Sequence, residues 1–448
     1  MVSLTFFGGV KEIGGNKILL EDKKTRIFLD FGQSFSLLDD YFVPESYLSP
    51  RDRFGLRDYF EFGLIPKLNG LYSNESIEHT DLKVSEPRFD GVFISHAHFD
   101  HVAHLEYLHP GIPIYMGETA KKILDSNAET TSNRYFAEGA EIRQFRSGKE
   151  ISVGDLKVTP IHVDHSVPGA YGFLVETSEG AVAYTGDLRQ HGPRSDMTRE
   201  FVEKAKKAEP EALIIEGTRV FDVEKRKNCS EESVREESGK VTHEAAGLVL
   251  AMRYPKDLDR FRTFHDIAKE SGRKLVTSMK TAHLLQSLKD DPLGLPDPFE
   301  DKHIEVYCRR MKSYKKWERP MMDDCVDSAY IHDNQKELIF ELDFWQLTEL
   351  VDARPSGGEC IHSMSEPFEE DPLSQVSDDV LENWLLHFGM RRHQLHASGH
   401  ASKSEIFEIV KEIDAKKVFP VHTMNPGMFG SACKNTEVTE KGRKCEIG

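Results

Sequence analysis

The stretch "FDGVFISHAHFDHVAHL", residues 89–105, begins with a short apolar run. Four histidines and an aspartate come after this run, namely His96, His98, Asp100, His101 and His104. The apolar run predicts a buried strand that ends where these polar residues begin. Imidazole and carboxylate groups this close repel or compete unless a cation lies between them. The His-x-His-x-Asp-His spacing therefore favours two neighbouring metal ions, Zn²⁺ or, with a larger oxygen share, Mn²⁺. His104 is expected on the helix surface or behind the ligands. A solvated histidine-rich loop is the alternative explanation.

Composition limits the class of protein. The chain has 448 residues, enough for two or three domains, and a net charge of −18. This charge argues against a basic protein that coats nucleic acid. No segment approaches the roughly 20 apolar residues that span a bilayer, and the start does not resemble a signal peptide. The six cysteines lack CxxC spacing, which favours free thiols in a reducing cytoplasm.

Further candidate ligands stand at the ends of other predicted strands. Asp187 in "AYTGDLR" could bridge two ions, and His165 in "HVDHSVPGA" and His422 in "FPVHT" could complete their ligand sets. His162 in "IHVDH" is the alternative to His165, but it falls within the strand and is expected to be a packed histidine. Asp30, at the end of "RIFLD", is poorly placed as a ligand and is expected to orient a ligating histidine through a hydrogen bond.

The segment "HASGHASKSEIFEIVKEI" predicts a helix whose N-terminus follows His400. Ser402 and Glu405 have the spacing of a capping box. The free N–H groups and the dipole of a helix N-terminus attract anions such as phosphate. Ser398, Gly399 and Ser402 could therefore bind a phosphate through hydroxyl and N–H groups, although turn formation and helix capping explain them equally well.

One spacing predicts an inserted domain. Positions 187 and 422 are 235 residues apart, and the chain between them changes from strands and tight turns to a helix–glycine–strand pattern typical of α/β units. We predict segments 1–190 and 376–448 in one domain and 191–375 in the inserted one. Residues 33–88 are predicted as an insertion of loops and short helices.

With these motifs the chain resembles the β-CASP branch of the metallo-β-lactamase superfamily, and within it the RNase J type. The resemblance covers essentially the whole chain and implies an α/β fold, a metallo-β-lactamase αββα sandwich with an inserted α/β β-CASP domain. The residues that match the family motifs are, in chain order, Asp30, the segment "HAHFDH" (residues 96–101), His165, Asp187, Glu216 in "IIEGTR", His400 and His422.

The resemblance also implies ligand sets and a substrate. One Zn²⁺ would be held by His96, His98, His165 and Asp187, and the other by Asp100, His101, Asp187 and His422. The last motif is histidine in RNA-acting members and valine in DNA-acting ones, so His422 favours RNA. The implied function is a cytoplasmic zinc-dependent ribonuclease of RNA processing or decay, a 5′–3′ exonuclease that could also cut internally. RNA is the expected partner, no membrane is involved, and a homodimer is allowed.

The hypothesised mechanism uses His400, Glu216 and Asp187 as catalytic residues. Two cations would lower the pKa of a bridging water and polarise the phosphodiester, while His400, oriented by Glu216, contacts the scissile phosphate or protonates the leaving oxygen. Residues 309–319, "RRMKSYKKWER", could bind RNA or form a solvated surface. The rival functions are a DNA nuclease of the same superfamily, a small-molecule hydrolase of the same fold, and a non-catalytic RNA-binding subunit.

Overall fold

The computed structural model describes residues 1–43, 48–223, 229–367 and 372–448, so part of the predicted insertion, residues 44–47, lies outside it. The chain forms two compact units. The first comprises Met1–Leu124, Asn133–Glu224 and Gly399–Gly448, and the second comprises Asp125–Ser132 and Lys225–Ser398.

These limits differ from the predicted ones at 190 and 375. The chain beyond residue 190 stays in the first unit because its next strand, Ala212–Glu216, pairs in parallel with strands on both sides, Gly180–Tyr184 and Lys417–Val421. The strand that precedes residue 399, Met390–Gln394, pairs instead with Gly358–Ser363 of the second unit.

Up to residue 216 the strands are β1 Val2–Gly8, β2 Lys17–Asp22, β3 Thr25–Leu29, β4 Gly91–Phe93, β5 Ile114–Gly117, β6 Ile142–Phe145, β7 Ile151–Val153, β8 Leu156–His162, β9 Tyr171–Thr177, β10 Gly180–Tyr184 and β11 Ala212–Glu216. The helices in this part are α1 Phe35–Asp39, α2 Arg57–Glu61, α3 Asn74–Ile77, α4 Phe99–Val102, α5 Glu118–Thr130 and α6 Ser195–Lys207. The predicted insertion thus contains short helices, as its sequence indicates.

Between residues 229 and 398 the strands are β12 Leu248–Arg253, β13 Lys274–Ser278, β14 Ile304–Tyr307, β15 Cys325–Val326, β16 Leu338–Glu341, β17 Gly358–Ser363 and β18 Met390–Gln394. The helices are α7 Glu231–Glu244, α8 Leu258–Ser271, α9 Met279–Ser287, α10 Ser328–Asp333, α11 Glu349–Ala353 and α12 Pro372–His387. The chain ends with α13 Lys403–Ile413, β19 Lys417–Val421 and β20 Lys444–Ile447.

Two sheets form the centre of the first unit. Their strand orders are β20–β1–β2–β3–β4–β5–β6 and β19–β11–β10–β9–β8–β7. Alternation in β1 turns Val2, Leu4 and Phe6 toward a buried cluster that also contains Phe173 and Tyr184 of the other sheet. A second apolar cluster joins the outer face of the β11-containing sheet to α6 and α13. The predicted metallo-β-lactamase-type sandwich is confirmed.

The second unit contains one parallel sheet with the order β15–β14–β13–β16–β12–β17–β18. Its helices connect parallel strands, which is the α/β architecture that the sequence predicts. Helix α8 begins after Asp257, whose side chain accepts a hydrogen bond from the N–H of Arg260, and it ends at Gly272 with φ of 70°.

Among the described residues, no helix has the length and apolar character that crossing a membrane requires.

Candidate metal centre

The candidate site lies in the first unit, where several strands end. The segment after β4 carries the histidine-rich motif into α4, and His165, Asp187 and His422 follow β8, β10 and β19. His422 has φ of 53° and Asp30 has φ of 57°, which is uncommon for residues other than glycine. The N–H of His422 donates to the carbonyl of Gly9 at 2.8 Å, which helps to hold this conformation.

Three imidazoles form a first ligand group. His96, His98 and His165 each bring a ring nitrogen within 4.8 Å of the others. Nδ1 of His98 lies 3.1 Å from Nε2 of His96 and 3.0 Å from Nε2 of His165. Nδ1 of His165 lies 2.6 Å from the carbonyl oxygen of Gly399, and this acceptor places the ring proton on Nδ1. Nε2 of His165 then has a lone pair for a metal ion.

A second ligand group contains two imidazoles and two carboxylates, and all of it is buried. Its members are Asp100, His101, Asp187 and His422. Nε2 of His422 lies 2.9 Å from Oδ2 of Asp100, and Nε2 of His101 lies 3.2 Å from Oδ2 of Asp187. Imidazole nitrogens and carboxylate oxygens are the donors that zinc and manganese prefer.

Asp187 connects the two groups. Its Oδ2 lies 3.6 Å from Nε2 of His96 in the first group and 3.7 Å from Nε2 of His422 in the second. Its other oxygen, Oδ1, and Nε2 of His101 are buried without a hydrogen-bond partner among the described residues. Buried polar atoms without a partner are costly, and a bound cation would satisfy both atoms. The residues therefore fit a divalent metal ion.

The protonation tendencies agree with this fit. Burial lowers the pKa of His96 far below its usual value and that of His165 to about 3, which favours neutral, metal-binding imidazoles. Burial raises the pKa of Asp187, but the charges of His422 and His101 outweigh it, so this pKa lies well below its usual value. Burial lowers the pKa of His422, but nearby negative charges, that of Asp187 foremost, raise it by more, so this pKa lies at about 9. The carboxylates thus attract positive charge, which a metal cation would supply instead of protons.

Asp30 directly follows β3 and accepts hydrogen bonds from residues beside the ligand groups. Its carboxylate accepts from the N–H and the hydroxyl of Ser95 at 2.7 Å each and from the hydroxyl of Tyr184 at 2.6 Å. Ser95 and Tyr184 are residues that the sequence motifs did not reveal. Ser95 directly precedes His96, and Tyr184 is the last residue of β10, so their positions beside motif residues are the available signals.

Glu216 and His400 form a pair next to Asp187. Nδ1 of His400 lies 3.1 Å from Oε1 of Glu216 and 3.8 Å from Oδ2 of Asp187. Glu216 is fully buried, whereas the side chain of His400 keeps 21% of its exposure. Burial raises the pKa of Glu216, but the charge and hydrogen bond of His400 outweigh it and lower the pKa overall. The structure also groups His400 with His165 and Asp187 as residues that could hold a metal ion.

Two further histidines lie outside these groups. His162 stacks on Tyr171 with ring centroids 4.2 Å apart, which agrees with the packed role expected for it. Of the two positions expected for His104, the helix surface is excluded, because the residue is only 1% exposed. Tyr59, from the segment predicted as an insertion, meets its ring edge-on with centroids 5.4 Å apart and covers it.

The predicted phosphate loop has mixed roles in the structure. The carbonyl of Gly399 contacts His165, as described above. Ser402 forms the predicted capping box, with its hydroxyl accepting from the N–H of Glu405 and the Glu405 carboxylate accepting from the N–H of Ser402. Ser398 is the last residue of the second unit.

Comparisons with known proteins agree with the fold and with metal binding in general. Residues 73–254 match a beta-lactamase superfamily domain, and residues 386–425 match a Zn-dependent metallo-hydrolase RNA specificity domain. A ribonuclease J of Sinorhizobium meliloti is 23% identical over 343 residues, which cover 74% of this chain and 57% of that relative. A ribonuclease J of Pyrococcus abyssi is 23% identical and covers 94% of this chain and 90% of the relative. This chain therefore spans little more than half the length of the first relative and most of the second.

A crystal structure of a protein of unknown function from Enterococcus faecalis V583 has the same fold. It is 25% identical, with a TM-score of 0.77 over 99% of both chains. The fold, the ligand groups and the match of residues 73–254 make this chain similar to proteins of the beta-lactamase superfamily. Within that superfamily it resembles the β-CASP proteins named ribonuclease J in bacteria and archaea.

Proposed function

We propose that this chain is a metal-dependent ribonuclease that hydrolyses RNA phosphodiesters in RNA processing or decay. The observation that carries the proposal is the position of Asp187, whose carboxylate approaches both ligand groups and, at 3.8 Å, the imidazole of His400. The match of residues 386–425 to an RNA specificity domain and the names of the relatives support RNA as the substrate.

The proposed cofactors are two Zn²⁺ ions, with Mn²⁺ as the alternative. The first ligand group with Asp187 would hold one ion, and the second group would hold the other. Bound divalent ions supply Lewis acidity toward a phosphodiester and activate water near neutral pH. Asp187, which is buried among imidazoles from both groups, would then be a ligand of both ions.

His400 is the proposed proton donor. Because the Glu216 carboxylate accepts from Nδ1, the other ring nitrogen, Nε2, is left for the substrate. When water attacks phosphorus and a P–O ester bond breaks, the leaving oxygen needs a proton, which Nε2 of a protonated His400 supplies. The hydrogen bond from Nδ1 to Glu216 orients the ring so that Nε2 can reach the substrate. The partial exposure of His400 agrees with a side chain that meets a substrate.

The N-terminus of α13 is the proposed phosphate-binding element. This helix is eleven residues long and begins after Ser402, two residues from His400. The capping box uses the N–H groups of Ser402 and Glu405, and the other N–H groups of the first turn with the positive dipole end favour a phosphate near Gly399 and Ser402. A site that binds a terminal 5′-phosphate would direct cleavage from the 5′ end, so we propose 5′–3′ exonuclease activity, with internal cleavage in addition. Homodimerisation and a cytoplasmic location stay predictions.

The test uses metal-loaded protein and four substrates: RNA with a 5′-monophosphate, the same RNA with a 5′-triphosphate, a circular RNA, and matched DNA. Mononucleotides released from 5′-monophosphate RNA alone would support a 5′–3′ exonuclease, and cleavage of circular RNA would support internal cutting. Preferred cleavage of DNA would favour the DNA nuclease, and no cleavage of any nucleic acid would contradict a nuclease function.

Two variants serve as controls. Asp187→Asn removes the charge shared by the two groups and is expected to abolish metal-dependent cleavage. Asp196→Asn changes an exposed carboxylate near the start of α6, and its cleavage rate should match that of the unaltered protein. Equal activity of the Asp187 variant would exclude the proposed site.

A further inference from the structure

Thr218 lies between two parts of the candidate site. It follows Glu216 by two residues in "EGTR", at the end of β11, and is 8% exposed. Its hydroxyl lies 2.7 Å from Oε2 of Glu216 and 2.8 Å from Nδ1 of His422. Its N–H also donates to Oε2 of Glu216 at 3.1 Å. One hydroxyl thus contacts a residue of the proposed proton donor pair and a residue of the second ligand group.

The two contacts of this hydroxyl determine where the protons lie. An ionised carboxylate only accepts hydrogen bonds, so Thr218 donates its single hydroxyl proton to Glu216. The oxygen of Thr218 can then only accept from Nδ1 of His422, which places the ring proton on Nδ1. Nε2 of His422, 2.9 Å from Oδ2 of Asp100, is left with a lone pair.

We propose that Thr218 is a positioning residue that fixes the Nδ1–H form of His422 for metal binding. This inference rests on the proposed metal-dependent function and extends it. The same hydroxyl connects His422 by hydrogen bonds to Glu216 and, through Glu216, to His400. Residues that orient a ligating histidine in this way typically change metal affinity by about 10–100-fold when they are removed.

The substitutions separate the hydroxyl from the shape of the side chain. Thr218→Val replaces the hydroxyl with a methyl group of similar size, so Nδ1 of His422 loses its acceptor and Glu216 loses a donor. Thr218→Ser keeps the hydroxyl and removes only the methyl group. Thr281→Val is the matched control in the second unit, because the Thr281 hydroxyl also donates to a carboxylate, that of Glu341, at 2.7 Å and is also buried.

The measurement is zinc binding to the full chain without RNA, by stoichiometry after dialysis and by competition with a chromophoric chelator. Thr218→Val is expected to weaken the more weakly held ion by about 10–100-fold, or to leave one ion per chain after dialysis. Thr218→Ser and Thr281→Val are expected to bind zinc like the unaltered protein. Circular dichroism spectra establish that each variant is folded.

Two outcomes would overturn the inference. Unaltered zinc affinity in a folded Thr218→Val variant would show that His422 does not depend on this hydroxyl. Equal weakening in Thr218→Ser and Thr218→Val would assign the effect to the methyl group and its packing. Because no RNA is present, failure of the proposed nuclease function would appear separately, as metal-loaded protein that binds zinc normally and cleaves no nucleic acid.

Discussion

Oδ2 of Asp30 lies 2.7 Å from Nδ1 of His101, and both side chains are completely buried. The carboxylate accepts the proton on Nδ1 and leaves Nε2 of His101 facing Asp187. Tyr184 and Ser95 donate to the same carboxylate. The negative charge of Asp30, which follows β3, therefore connects β10 with the segment after β4 that carries Ser95 and His101.

Replacing this charge should weaken metal binding. Asp30→Asn places an amide N–H₂ among groups that are themselves donors, and the unmatched buried donors should cost about 3 kcal/mol or more of unfolding free energy. Metal affinity should fall by about 10–100-fold. Tyr184→Phe removes one donor and should cost about 1–3 kcal/mol. Urea unfolding and metal content after dialysis measure both effects.

The control for these variants is Asp155→Asn, which changes an exposed carboxylate 3.4 Å from Nζ of Lys23. Exposed ion pairs contribute little to stability, so its unfolding free energy should change by less than about 1 kcal/mol. Metal binding by the Asp30 variant at the level of this control would contradict the orienting role of Asp30.

His400→Ala should separate metal binding from catalysis. If His400 donates a proton and does not hold a metal ion, the variant should retain its full metal content and cleave RNA about 10²–10⁴-fold more slowly. His79→Ala, which changes an exposed histidine that packs edge-on against Phe54, should behave like the unaltered protein. Loss of an ion would make His400 a ligand, as its grouping with His165 and Asp187 allows, and unchanged cleavage would remove it from the mechanism.

Ser402→Ala should separate helix capping from phosphate binding. The hydroxyl accepts from the N–H of Glu405 at 3.3 Å, so its removal should lower the unfolding free energy by about 1 kcal/mol. If the hydroxyl also binds phosphate, KM for 5′-monophosphate RNA should rise, whereas capping alone leaves KM unchanged. Ser230→Ala removes the equivalent cap of α7, where the Ser230 hydroxyl accepts from the N–H of Ser233, and is the matched stability control.

The parts of the site that follow from local sequence were the most predictable. The ligand motif after β4, the capping box at Ser402 and the glycine stop after α8 depend on residues close in the chain. The roles of Ser95 and Tyr184 were missed because they arise where β3, β4 and β10 approach one another, and no local pattern encodes that approach. The burial of His104 depends on Tyr59, 45 positions earlier in the chain.

Charge reversal at Lys315 and Lys316 tests whether residues 309–319 bind RNA. Both side chains are exposed, whereas Tyr314 is half-buried and donates its hydroxyl proton to the carbonyl of Arg309 at 3.1 Å. Trp317 packs against a small apolar cluster of the second unit, so base stacking on it would require rearrangement. If both lysines contact phosphates, Lys315→Glu with Lys316→Glu should weaken single-stranded RNA binding and reduce the salt slope by about 0.7 per contact.

The salt slope is obtained from fluorescence anisotropy at several salt concentrations. Lys336 is a charged residue elsewhere in the second unit, and Lys336→Glu is the control for a general change in net charge. An unchanged slope in the double variant would assign residues 309–319 to a solvated surface without a role in RNA binding.

Lys17 should make stability depend on pH above neutrality. The residue is 1% exposed, and burial, opposed by Glu12 and assisted by Lys441, lowers its pKa to about 7. Between this value and the unfolded value of 10.5, the unfolded chain binds more protons than the folded chain. Stability therefore rises with pH across this range, by up to about 1.4 kcal/mol per pH unit from this residue.

Lys17→Met removes this titration and keeps the length of the side chain. The variant should be more stable than the unaltered protein at pH 7, and the difference should shrink by pH 9, because the penalty for burying the charged lysine decreases as pH rises. Urea unfolding of the metal-free chain at both pH values measures this difference. Lys24→Met, in the exposed turn between β2 and β3, should preserve the original pH dependence. A constant difference between the Lys17 variant and the unaltered protein at the two pH values would show that Lys17 does not titrate in this range.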